Sequence, residues 1–313
     1  MKAARIHSHG GHEVLRVDTV ARPSPSDRQV LVKVKGASLN ALDTSLRAGE
    51  MKVITQFQLP KTLGFDLAGE VVECGKRVTS FVPGDKVAAM TGVGGGAAAE
   101  YASVDQENVA RLPEGVDMLE ASAVPLAAST ALQGLRGIAQ LHAGQKVLVS
   151  GASGGVGGFA VQIAKLLGGS VTALCRDEHF DYVRGLGADE MIDYRDDGAS
   201  KIDERFDVVF DCSAKMSLEQ VQSLARHGGR VVTTRPEAKK VVQGFIDRLR
   251  GAFTYDVIMV RPRGGDIAFV LELLRQGRLQ PCLRKGFPLG SVADAHRYFE
   301  EESVAGKVVL TVD

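Results

Sequence analysis

Two periodicities divide this chain near residue 120. Before that point, short runs of alternating apolar and polar residues, VLVKVK at 30–35 and EVVECG at 70–75, are separated by turn-forming stretches such as PSPSD and VPGD. Period-two alternation puts successive side chains on opposite faces of a strand, and the Pro, Gly and Asp clusters interrupt it. The runs lie too close together for helical crossovers, so a β-rich region is predicted. After residue 120, apolar strand-length runs take over: KVLVSG, helix, SVTALC, helix, EMIDY, FDVVFDCS, helix, GRVVTT, helix, TYDVIMVR. Near-continuous apolar strands alternating with helices predict a parallel sheet covered on both faces. The tail from about 263 holds two helical runs, DIAFVLELLRQG and VADAHRYFEEE, and the strand KVVLTV. Folded back onto the first region, it makes residues 1–119 and 263–313 one domain, with 120–262 as a doubly wound α/β insertion.

The most specific stretch is LVSGASGGVGGFAVQIAKLLGGSVTALCRD, residues 148–177. A strand runs into Gly151-x-x-Gly154-x-x-Gly157 and then a helix, the context in which such glycines let the backbone approach a pyrophosphate. Unpaired N–H groups and the positive dipole end at the helix N-terminus favour an anion there. Ser153, Gly154, Gly155 and Val156 are therefore the predicted phosphate-turn residues. The following strand ends in Cys175-Arg176, where an NAD-preferring unit usually carries an acid for the ribose 2′-hydroxyl. A neutral side chain and a guanidinium suit a 2′-phosphate instead, so NADPH is the predicted cofactor. Asp177 leaves two alternatives open, pairing with Arg176 or capping the next helix. Tyr194, at the end of EMIDY, reads as flanking adenine or phosphate, or as an ordinary strand-end tyrosine. Cys212, with Ser213, follows FDVVFD at a carboxyl end of the sheet, where ligands bind in such folds; burial as a packing residue is the alternative.

Composition narrows the partners. The 313 residues carry 38 Lys plus Arg against 38 Asp plus Glu, a formal net charge of zero that offers no overall field for nucleic acid or an anionic membrane. MKAARIHSHGG has no apolar signal segment, and no run approaches the roughly 18 apolar residues of a membrane span. A soluble cytoplasmic protein with a small-molecule partner is expected. Cys74, Cys175, Cys212 and Cys282 are scattered, which fits free thiols in a reducing compartment. His7, His9 and His12 form the single histidine cluster, on a terminal strand and turn, and no metal site is assigned to it.

The runs LGFDLAGEVVECG, FVPGDKVAA, AEYASV, ASGGVGGFAVQIAK, LGADEMIDYR and AHRYFEEESVAGKVVL, with LN-x-x-D-x-x-x-R-x-G from Asn40 to Gly49, span nearly the whole chain. Together they resemble the medium-chain dehydrogenase/reductase superfamily, in particular its zinc-free, zeta-crystallin-like quinone oxidoreductase branch. The resemblance implies a GroES-like β-rich catalytic domain, a Rossmann domain and an active-site cleft between them. It makes Asn40 and Asp43 the polar candidates for catalysis, with turn formation as the alternative for both. It also implies cofactor contacts from Thr130, Val260 and Arg261, with an ion pair as the alternative for Arg261, and more weakly a role for Lys307.

Zinc-dependent relatives carry a cysteine near the end of the strand KVKGASLN and a His-Glu pair where Phe65-Asp66 stands; this chain has neither, nor their four-cysteine lobe. Without these donors no Lewis acid stabilises an alkoxide. The acceptor must then be intrinsically electrophilic, a quinone or an α,β-unsaturated carbonyl, with alignment doing most of the catalysis. No tyrosine follows the LN-x-x-D run before Tyr101, which disfavours an enoyl-thioester reductase. The expectation is an NADPH-dependent, zinc-independent reductase, acting as a homodimer or homotetramer. An NADPH-binding sensor with little turnover and a zinc alcohol dehydrogenase are the alternatives. Residues 51–60 and the loop TGVGGG are expected to shape the acceptor pocket.

Overall fold

The computed structural model describes residues 1–50, 58–92, 94–195, 202–235, 243, 247, 251–302 and 304–313. Of the loops expected to shape the acceptor pocket, residues 51–57 and Val93 lie outside the described residues. The chain forms two compact units, Met1–Ser129 with Arg261–Asp313, and Thr130–Val260.

The first unit is built on antiparallel strands. Its amino-terminal part comprises β1 (Lys2–Ile6), β2 (Leu15–Thr19), β3 (Gln29–Ser38), helix α1 (Ala41–Ala48), β4 (Lys61–Thr62), β5 (Asp66–Cys74), β6 (Lys86–Met90), β7 (Tyr101–Asp105), β8 (Val109–Arg111), α2 (Met118–Ser122) and the first residues of α3 (Pro125–Leu132), whose last three belong to the second unit. Asp117 caps α2 by accepting the N–H groups of Leu119 and Glu120. Residues 120–129, grouped with the second domain by sequence, fall in this unit. Their α2 segment packs so closely on β3 that a Cβ on Gly36 would meet the Ser122 hydroxyl at 2.8 Å.

The second unit runs β9 (Lys146–Ser150), α4 (Gly155–Leu166), β10 (Ser170–Cys175), α5 (Phe180–Gly185), β11 (Glu190–Asp193), β12 (Phe206–Asp211), α6 (Leu218–Leu224), β13 (Ala225–Thr233) and β14 (Phe253–Val257). The helix expected between the last two strands falls mostly outside the described residues. All six strands are parallel, in the order β11-β10-β9-β12-β13-β14. That is the doubly wound Rossmann order, whose direction reverses between β9 and β12. Leu148, Leu174, Phe206, Val209, Val231 and Phe253 make one buried cluster under α6, as continuous apolar strands require.

The chain then returns to the first unit as α7 (Gly264–Arg275), β15 (Leu283–Pro288), α8 (Val292–Glu301) and β16 (Lys307–Thr311). β16 pairs antiparallel with β3 and parallel with β15, closing a seven-stranded sheet. The strand β15 escaped the sequence reading because LRKGFP shows no alternation, and its residues are half-buried or exposed.

Helix α8 brings His296 and Glu300 to Arg47 at the end of α1. The Arg47 guanidinium donates to Glu300 Oε1 at 2.6 Å and to the Gly10 carbonyl at 3.2 Å, and its Nη1 lies 3.2 Å from His296 Nδ1. A guanidinium only donates, so Nδ1 must keep its lone pair. Burial first, and the Arg47 charge second, push the His296 pKa down to about 3. The folded protein therefore holds this ring neutral while the unfolded chain takes up a proton. The contribution is full above about pH 6.5 and is lost as pH falls towards 3. Urea unfolding at pH 7 and pH 4 should show a fall in stability that is smaller in His296→Gln than in the wild type by about 1–3 kcal/mol; equal falls would refute the assignment.

Candidate functional site

The glycine turn lies at the carboxyl end of β9. Gly151 adopts φ +69°, which L side chains rarely tolerate. A Cβ on Gly157 would come within 2.1 Å of the Gly151 carbonyl oxygen, so only glycine lets α4 start this close to β9. Gly154 is the N-cap of α4, with extended backbone and no side chain bonding the first turn. The N–H groups that open a helix have no intrahelical partner, and no side chain stands in for a ligand here. Around Gly154 a Cβ would meet only the Gly151 oxygen, at 3.4 Å. An open cradle with backbone donors fits a pyrophosphate. Ser153, Gly154, Gly155 and Val156 are all half-buried along it.

A half-buried hydroxyl chain ties the two strands at the switch point. Ser213 Oγ donates to Asp211 Oδ1 at 2.8 Å and lies 2.8 Å from Ser150 Oγ. A hydroxyl has one proton, so Ser150 must be the donor to Ser213. The Cys212 N–H donates to the Ser150 carbonyl at 3.1 Å. The Cys212 thiol is driven well above the ordinary range, by burial first and by Asp211 second, which keeps it protonated.

Beyond β10 and β11 the register places Cys175 opposite Asp193, so the residues that follow them meet. Cys175 is buried, with its thiol pushed up to about 11 by burial. Arg176 Nε donates to the Tyr194 hydroxyl at 3.1 Å, and Nη1 lies 3.4 Å from Glu178. Sequence reasoning named Arg176 and Tyr194 separately; the structure joins them. It missed Arg195, which follows Tyr194 directly and pairs with Asp193 at 2.6 Å and with Asp177. Asp177 is thus engaged with Arg195, while its own N–H donates to Asp193 at 3.2 Å. The Arg195 hydrogen bonds hold the Asp193 carboxyl far below its usual range.

The remaining candidates lie elsewhere. Thr130 is buried in α3. Val260 and Arg261 follow β14 in irregular chain, Val260 half-buried and closing the second unit, Arg261 exposed and opening the return to the first. Asn40 and Asp43 belong to the first unit and are 6% and 1% exposed. Asn40 Nδ2 donates to Asp66 Oδ2 at 3.0 Å and to the Ser38 carbonyl at 3.4 Å, and its Oδ1 accepts from Lys307. Asp43 accepts the N–H groups of Asn40 at 3.0 Å and Gly64 at 2.9 Å, fixing the start of α1. Burial pushes its carboxyl up to about 7. Burial likewise raises Asp66 and lowers Lys307, each opposed by the other's charge. The sequence reading used Asp66 only as a departure from zinc-dependent relatives and Lys307 only weakly. A lysine opening the apolar run KVVLTV was the available signal.

A parallel sheet in Rossmann order with an open glycine cradle at its switch point defines a dinucleotide-binding unit, here joined to a β-rich partner. A zinc-binding dehydrogenase family profile matches residues 186–310, and an alcohol dehydrogenase GroES-like domain profile matches 26–114. The chain is 33% identical to the chloroplastic quinone-oxidoreductase QR1 of Triphysaria versicolor, over 99% of this chain and 98% of that protein. It is also 33% identical to an NADPH-dependent alkenal/one oxidoreductase of Arabidopsis thaliana, over 99% of this chain and 79% of the relative. The solved structure of the quinone oxidoreductase from Coxiella burnetii superposes with a TM-score of 0.91 at 27% identity, covering 100% of this chain and 99% of that one. The chain belongs to the medium-chain dehydrogenase/reductase superfamily, with the zeta-crystallin-like quinone oxidoreductases. It is an oxidoreductase of GroES-like plus Rossmann architecture, a family that works with a nicotinamide cofactor on small molecules.

The cradle yields a contrast between two glycines. Gly157→Ala should lose about 1–3 kcal/mol of stability, because its methyl group meets backbone that cannot yield. Gly154→Ala should stay within about 1 kcal/mol of wild type, since the site is open. Thermal or urea unfolding of both variants checks this; equal losses would contradict the geometry.

Proposed function

We propose that this protein is an NADPH-dependent reductase of quinones or α,β-unsaturated carbonyls that works without zinc. The observation that carries the reading is the Arg176–Tyr194 pair at the ends of β10 and β11, with Cys175 where an NAD-preferring unit has an acid. Arg176 and Tyr194 would take the 2′-phosphate through a charge-assisted hydrogen bond and a hydroxyl. Ser153, Gly154, Gly155 and Val156 would hold the pyrophosphate on the first turn of α4, with Thr130, Cys212, Val260 and Arg261 as further cofactor contacts. When bound, the nicotinamide supplies a hydride to an electrophilic acceptor.

The chain's own residues do the rest. The Asp211–Ser213–Ser150 chain holds the ends of β9 and β12 together beneath the turn, so the cradle is formed before the cofactor arrives. Asn40 and Asp43 act as positioning residues: their polar atoms are bonded within the protein, and they fix the end of β3 and the start of α1. No side chain among these candidates is set up to deliver a proton outward, which leaves water or another side chain to supply the one proton that accompanies the hydride. Zinc independence is supported by the donor set, since Phe65 and Asn40 offer no thiolate or imidazole and Asp66 is already hydrogen-bonded. At the edge of the parallel sheet, β14 is followed by the exposed Met259, which suits addition of a second copy in a homodimer or homotetramer.

Stopped-flow mixing with a panel of quinones and enones should show NADPH oxidation by at least one of them, and none by any would refute the activity. Arg176→Ala should weaken NADPH relative to NADH by roughly 1.5–3 kcal/mol; equal weakening of both would refute the 2′-phosphate assignment.

A further inference from the structure

Where β3 ends and β5 and β16 begin in the first unit, a lysine and a carboxylate are buried together. The side chains of Lys307 and Asp66 are 2% and 0% exposed, with Nζ 3.6 Å from Oδ2. Lys307 Nζ donates to the Leu39 carbonyl at 2.8 Å and to Asn40 Oδ1. Asp66 Oδ1 accepts the Leu126 N–H at 2.8 Å, and Oδ2 accepts from Ser38 Oγ at 2.7 Å and Asn40 Nδ2 at 3.0 Å. The partners come from four separate stretches of chain, so the centre exists only in the folded unit.

The matched zinc-binding dehydrogenase profile implies a divalent metal, and this centre does not fit one. Zinc on Asp66 Oδ2 or Asn40 Oδ1 would sit about 2.0–2.2 Å from the oxygen, in space that the ammonium and its protons fill. Among the described residues no three His, Cys, Asp or Glu side chains are grouped to hold a metal.

We propose that Lys307 is the resident cation of this centre: its ammonium neutralises Asp66, sets which way the Asn40 amide faces, and keeps divalent metal out of the junction of β3, β5 and β16. An ammonium only donates and a carboxylate only accepts, so Asn40 can bridge them in one orientation, oxygen to Lys307 and nitrogen to Asp66. The inference stands on these contacts and is independent of which cofactor or acceptor the enzyme uses.

The test compares wild type, Lys307→Met and Lys307→Met/Asp66→Asn by urea unfolding, with zinc content measured after incubation with zinc chloride and dialysis. Lys307→Met leaves a buried carboxylate without its cation, and its folding constant should drop on the order of a hundredfold or more. Asp66→Asn added to it removes the stranded charge and should recover most of that loss, which a lysine serving only as packing would not allow. Wild type should hold zinc far below one per chain. If Lys307→Met does not fold, the double variant decides: a folded double variant supports the proposal and an unfolded one overturns it. One zinc retained per wild-type chain, or no recovery on adding Asp66→Asn, overturns it as well.

Discussion

The close approach of Gly157 to the Gly151 carbonyl is the constraint on which the rest of the second unit depends. With 2.1 Å between that oxygen and any Cβ at 157, a side chain would push α4 off β9 and move its amino end from the switch point. As it stands, the first turn of α4 opens where β9 and β12 part, and the Ser150–Ser213–Asp211 chain keeps those strand ends fixed. A phosphate-receiving geometry thus follows from packing that is complete without the ligand. The cost of organising the site is met during folding, and binding draws on donors already aimed.

Charged groups serve two different ends in this molecule, and exposure separates them. Around β10 and β11, Arg176, Arg195, Asp177, Glu178 and Asp193 pair near solvent. Such pairs contribute about 0–1 kcal/mol each to stability, so the fold depends little on them. At the ends of β3, β5 and β16 the pair is buried, and breaking one side of such a pair costs about 3–5 kcal/mol. Lys307 and Asp66 therefore belong to architecture first, and through Asn40 they reach the segment that the family resemblance ties to catalysis. Arg47, His296 and Glu300 do similar work between α1 and α8.

How far each feature could be read from sequence follows from how local its cause is. The glycine turn was legible because Gly151 and Gly157 meet requirements imposed within seven residues, a positive φ and a close backbone approach. The parallel sheet was legible because burial on both faces leaves β9, β10 and β12 almost wholly apolar. The Arg176–Tyr194 contact was half legible: each residue stood out, but their meeting depends on the pairing of β10 with β11. Arg195 was overlooked because a charged residue after a strand ordinarily reads as solvated. The Lys307–Asn40–Asp66 centre was illegible, since its members lie as many as 267 residues apart and only the return of β16 to β3 unites them. The strand β15 was missed because it is weakly buried and carries no periodic signal.

The central claim, that the second unit recognises a dinucleotide carrying a 2′-phosphate, is tested most directly with the adenosine half alone. Calorimetric titration of the whole protein with 2′,5′-ADP and with 5′-AMP isolates the contribution of that phosphate from the nicotinamide and the acceptor. Tighter binding of 2′,5′-ADP by about tenfold or more, the effect of one charge-assisted contact, is the predicted result. Equal affinities, or preference for 5′-AMP, would contradict the account.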